Sequence, residues 1–91
     1  MELHDRIVAE LEETRSLAAL IWLVDRGREV EFSAEGKGYF LSRSKAGKYV
    51  SLWDSKTEQS FGSVEELLER AKVSGRPFLA AWKDARIETI F

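Results

Sequence analysis

The chain has 91 residues, with no cysteine, one histidine (His4) and one proline (Pro77). Without cysteine there are no disulfides, no iron–sulfur clusters and no thiolate-ligated zinc. A single histidine near the N-terminus cannot build a multi-histidine metal site and is poorly placed as a catalytic base. Long apolar runs are also missing. The longest spans residues 17–24, eight residues, against the ~20 needed to cross a bilayer. The opening Met1-Glu2-Leu3-His4-Asp5 lacks the basic start and apolar core of a signal peptide. These absences predict a soluble cytoplasmic protein with no metal and no cofactor.

Hydrophobic residues make up 44% of the chain, and ten side chains are aromatic, three of them tryptophans (Trp22, Trp53, Trp82). A chain of this size predicts one folded domain over residues 1–91, without a separate catalytic lobe. Lacking disulfides or metal, such a domain folds by close packing alone, with the aromatics as its main burial surface. The net charge of −2 is unevenly spread: −5 over residues 1–36, +4 over 37–56 and −1 over 57–91. In the middle stretch Lys37, Arg43, Lys45, Lys48 and Lys56 face Asp54 alone. Edge lysines that protect a sheet against aggregation account for this pattern. A phosphate-bearing or nucleic-acid partner is the alternative.

Leu3, Ile7, Val8 and Leu11 recur at helical spacing opposite Glu10, Glu12 and Glu13, which predicts an amphipathic N-terminal helix. Residues 17–24 either extend it or start a second helix with Ser16 as N-cap. Gly27 then suits a left-handed C-cap. The rival is a strand over 19–24 with a hairpin at 25–27; the Leu and Ala that open the run favour helix. From Arg28 the period changes to two. Strands are predicted over 29–33, 39–43, 49–53 and 57–61, joined by short turns, and such neighbours pair antiparallel as a meander. Ser63 and Glu66 form a capping box before the stripe Val64, Leu67, Leu68, Ala71. Pro77 begins a short helix with Phe78, Leu79 and Trp82 on one side, and residues 86–91 provide a final strand.

The carboxylate pairs Glu12/Glu13, Glu29/Glu31 and Glu65/Glu66 lie on predicted exposed faces, where general acid–base catalysis has no cleft to work in. Asp54 follows Trp53 at a strand end, where aspartate commonly opens a turn. The serines show no G-x-S-x-G elbow. Gly36-Lys37-Gly38 lacks the further glycine and following helix of a phosphate-cradling loop. No catalytic constellation is visible, and the chain is read as a non-enzyme.

Two resemblances bear on function. The stretch Gly38-Tyr39-Phe40-Leu41-Ser42-Arg43-Ser44 resembles the phosphotyrosine-binding strand of SH2 domains, and Gly47-Lys48-Tyr49-Val50-Ser51-Leu52 and the helix over 64–68 continue the likeness over about half of the chain. That likeness implies Arg43 as a phosphate ligand. More of the chain, roughly residues 20–91, resembles a group of small bacterial or prophage-borne α+β proteins without an assigned activity. It does so through Gly27-Arg28-Glu29-Val30-Glu31-Phe32, Phe61-Gly62-Ser63-Val64-Glu65-Glu66 and Gly75-Arg76-Pro77-Phe78. It implies the same fold and no chemistry.

The fold expected is therefore α+β: one or two N-terminal helices, an antiparallel meander of three to four strands, a capped helix, a short helix and a final strand. The middle strands carry large apolar groups on both faces, Tyr39 and Leu41 against Phe40, then Tyr49 and Trp53 against Val50 and Leu52. One face must meet helices; the other, unless also covered, is an aromatic partner surface. The expected role is a protein-interaction module binding another protein or a second copy of itself. Tyr39, Tyr49 and Trp53 are its expected anchors, rimmed by Lys37, Lys45 and Lys48. The alternative is a phosphate or nucleic-acid site formed by Arg43, Lys45 and Lys48.

Overall fold

A computed structural model describes residues 3–44 and 47–91 of the chain. It opens with two helices, α1 (Leu3–Thr14) and α2 (Leu17–Asp25), so residues 17–24 are helical. The break falls at Arg15, whose backbone is left-handed (φ 57°), and at Ser16, whose hydroxyl accepts from the Ala19 N–H at 3.1 Å. That hydroxyl satisfies a helix-end donor and starts α2 afresh. At the other end the Gly27 N–H donates to Val24 and the Arg28 N–H to Leu23, both at 3.0 Å. This is the Schellman closure that a left-handed glycine permits; Gly27 has φ +80°. Along α1 the apolar stripe is graded: Leu11 is buried, Ile7 and Val8 pack against the core, and Leu3 is exposed.

The chain then enters strands β1 (Val30–Ala34), β2 (Lys37–Arg43), β3 (Val50–Trp53) and β4 (Glu58–Phe61). Each pairs antiparallel with the next. The β1–β2 turn has positive φ at both central residues, Glu35 at 53° and Gly36 at 79°. Such a type I′ turn matches the right-handed twist of the flanking strands and fixes their register.

After β4 comes α3 (Val64–Arg70), capped by the Ser63 hydroxyl, which accepts from the Glu66 N–H at 3.1 Å. The stripe through Ala71 predicts a longer helix, yet α3 ends at Arg70 with Ala71 extended as its C-cap. No strand is predicted for residues 72–77 ahead of the helix expected from Pro77. They form a small hairpin, β5 (Lys72–Val73) and β6 (Arg76–Pro77), before α4 (Phe78–Trp82). Its turn repeats the type I′ geometry at Ser74 (φ 52°) and Gly75 (φ 79°). Pro77 is accordingly the N-cap of α4 rather than its first residue. The Gln59 side-chain amide anchors this hairpin, donating to the Lys72 carbonyl at 2.8 Å and accepting its N–H at 2.9 Å. Arg76 adds an ion pair to Glu35 at 3.3 Å, joining the two turns.

The last strand, β7 (Arg86–Ile90), pairs antiparallel with β1 rather than with its sequence neighbours, giving the sheet order β4-β3-β2-β1-β7. Val30, Phe32, Leu41, Val50 and Leu52 project from one face of this sheet into a core shared with Leu20, Leu23, Val64, Leu67, Phe78 and Trp82. Phe32 is its centre, with the Tyr39, Phe78 and Trp82 rings 5.4, 6.0 and 5.2 Å away. Arg15 closes the layer. Its guanidinium donates to the Ala85 and Glu12 carbonyls, both at 2.6 Å, and its own carbonyl accepts the Trp82 indole N–H at 3.0 Å. The architecture is α+β in two layers, with the helices gathered on one side of an antiparallel sheet.

Candidate functional site

Pairing register decides what the uncovered side of the sheet presents. Opposed residues share a face, so the face opposite the core holds Glu31, Phe40, Trp53 and Glu58 in one row across four strands. A second row, Ser42, Ser51 and Ser60, runs beside it. The Trp53 indole N–H donates to Ser42 Oγ at 3.1 Å, which holds the ring in place over the sheet. Phe91 extends the aromatic strip past β1, its ring 6.0 Å from Phe40 and edge-on to it. Trp53 is 40% and Phe91 56% exposed.

Beside this strip lies a groove of about 600 Å³ lined by Glu31, Gly38, Phe40, Trp53, Asp54 and the turn lysines Lys37 and Lys56. Its floor is open because Gly38 has no side chain, and nothing lies within 4 Å of where a Cβ would stand. Asp54 shapes the turn end. One carboxylate oxygen accepts the Lys56 and Thr57 N–H groups, both at 2.7 Å. Those two donors, helped by the charge of nearby Lys37, hold its carboxyl below the aspartate value of 3.8. The turn-opening role expected for Asp54 is thus the one it fills, and it also borders the groove.

The hydroxyl row is internally satisfied. Ser51 Oγ donates to Glu58 Oε2 at 2.6 Å, Ser60 Oγ reaches the same oxygen at 3.1 Å, and the two hydroxyls are 3.0 Å apart. A serine paired with a carboxylate resembles part of a nucleophilic relay, but Ser51 is 2% exposed. The arrangement satisfies a buried hydroxyl rather than presenting a nucleophile.

The expected anchors do not share one face. Tyr39 is 4% exposed and belongs to the core: it stacks on Phe32, and its hydroxyl is 2.8 Å from Ser74 Oγ. Its position two residues from Leu41 puts it on the helix side, as strand alternation requires. Tyr49 is 46% exposed just before β3, and Trp53 lies at the far end of that strand. Phe40 and Phe91 are the aromatics that join Trp53. The alternation around Phe40 pointed to this face, but only the pairing Phe40 with Trp53 fixed which aromatics meet, and Phe91 arrives through the placement of β7.

The expected anion site is likewise rearranged. Arg43 Nη1 pairs with Asp25 at 3.1 Å and Nη2 donates to the Gly47 carbonyl at 3.2 Å, so the guanidinium ties β2 to the end of α2. Lys48 is exposed, with its backbone N–H on Ser44 Oγ. Lys45 lies outside the described residues, and Lys37 stands at the groove rather than with Lys48. Among the described residues, no group of three or more His, Cys, Asp or Glu could hold a metal ion, and no helix is long and apolar enough to cross a membrane. No protein-family model, no curated protein and no solved structure matches the chain.

Proposed function

We propose that this protein is a non-enzymatic interaction module that binds a partner, another protein or a second copy, on the uncovered face of its sheet. The observation that carries this reading is the one-sided placement of the helices, which leaves Phe40, Trp53 and Phe91 as an aromatic strip that no helix among the described residues covers. Tryptophan and phenylalanine offer large contact areas with few rotatable bonds, so little entropy opposes their burial. A rigid sheet underneath keeps the strip preorganised. Against the anion-binding reading, the Arg43 guanidinium already pairs with Asp25 at 3.1 Å.

Light scattering on wild type and Trp53→Ala, at low and moderate salt, tests this. A dimer that becomes monomeric in the variant identifies the second copy as partner. A wild-type monomer moves the test to affinity capture, where a bound protein must be lost with Trp53→Ala. Association indifferent to Trp53 in both experiments ends the proposal.

A further inference from the structure

The row across the outer face reads acid, aromatic, aromatic, acid: Glu31, Phe40, Trp53, Glu58. With strands about 4.8 Å apart, three spacings set the outer two backbones about 14 Å from each other, with both rings between them. Resting on the reading of this face as a partner surface, we infer that its occupant is an extended segment of another protein bearing two arginines four residues apart. Each arginine meets one carboxylate, and the residue midway between them covers the rings.

The charges disfavour a second copy. Two identical sheets stacked face to face are related by a two-fold axis lying between them. An axis along the strands sets Glu31 over the partner copy's Glu58, and an axis along the row sets each glutamate over its own counterpart. The roughly 30° rotation of an aligned sandwich moves the row ends by only about 4 Å, so carboxylates still approach carboxylates. A cationic segment meets the opposite situation. Aromatic faces attract cations, and arginine both stacks on rings and bonds carboxylates through its planar fork.

Spacing and availability agree with this. In an extended chain, residues i and i+4 lie on one side and about 13 Å apart, close to the separation of the two acids. Among the described residues the Glu31 carboxylate makes no hydrogen bond or ion pair, and the Glu58 carboxylate engages only its Oε2, with Ser51 and Ser60. The Ser42 hydrogen bond has already fixed the Trp53 ring. The lysines of the groove, Lys37 and Lys56, stand at its turn end with Asp54.

The test uses the whole chain and the peptide acetyl-Thr-Arg-Thr-Val-Thr-Arg-Thr-amide, read by the NMR signal of the Trp53 indole N–H, which is assigned by its disappearance in Trp53→Phe. The expected result is a saturable shift whose affinity falls with added salt. Glu31→Gln with Glu58→Gln should weaken binding by about tenfold or more. Both glutamates are exposed, so the double variant should stay folded. If a peptide with glutamate in place of arginine binds equally well, or the double variant binds unchanged, the cationic occupant is overturned while the partner surface stands. If neither peptide moves the Trp53 signal, the inference is overturned, and light scattering and capture with Trp53→Ala decide the surface separately.

Discussion

Two residues show how differently position sets a side chain's importance. Phe32 alternates inward on β1 and meets three aromatic rings, so its truncation leaves a cavity that rigid neighbours cannot refill. Phe32→Ala should cost about 3–5 kcal/mol, measured by urea unfolding. That is a large part of the ~5–15 kcal/mol typical of such domains. Asp54 is half-buried at a turn, and its role is local. Two backbone donors favour its charged form, so its folded pKa is depressed. Its stabilising effect is therefore present above the unfolded aspartate value and is lost as pH falls through the lower folded one. A carbon-13 NMR titration should place the Asp54 midpoint below 3.8; a midpoint at or above that value would contradict the turn geometry.

At the scale of the element, the β1–β2 hairpin contains two glycines with opposite requirements. Both have open space where a Cβ would go, but only Gly36 has a positive φ. Gly36→Ala should therefore destabilise by about 1–2 kcal/mol through left-handed strain. Gly38→Ala, in extended backbone, should stabilise by about 0.5–1 kcal/mol through lost unfolded-state entropy. Thermal melts of the pair should move in opposite directions. Removing the α3 cap by Ser63→Ala should cost about 1 kcal/mol in the same assay. These signals are local, which is why Ser16, Gly27 and Ser63 were readable from the sequence. The β5–β6 hairpin was not, because it depends on the Gln59 amide thirteen residues before Lys72. No periodicity in a six-residue stretch announces a partner at that distance.

For the whole molecule, the decisive property is asymmetry: one sheet face carries the core and the other carries the aromatic row. The two faces should respond differently to loss of a tryptophan. Trp82, in the core and bonded to the Arg15 carbonyl, should cost about 3–5 kcal/mol as Trp82→Ala. Trp53→Ala should cost about 1 kcal/mol or less, as expected for a partly exposed side chain, while abolishing the association proposed for its face. Denaturation and light scattering on the two variants separate these effects. Comparable destabilisation by both would mean that Trp53 supports the fold itself.

The sequence by itself determined the class of fold, the switch to a two-residue period from Arg28 and the major caps, because each follows from neighbours within a few residues. It also determined that chemistry resting on cysteine or on several histidines has no place here. Only the tertiary structure decided that the helices of the described residues sit on one side, that Tyr39 lies inside, that Arg43 is matched by Asp25, and that β7 joins β1. Alternation along a strand says which residues share a face, but not which face meets the helices or which strands lie side by side. Those choices come from packing between segments far apart in the chain. The row of Glu31, Phe40, Trp53 and Glu58 exists only once they are made.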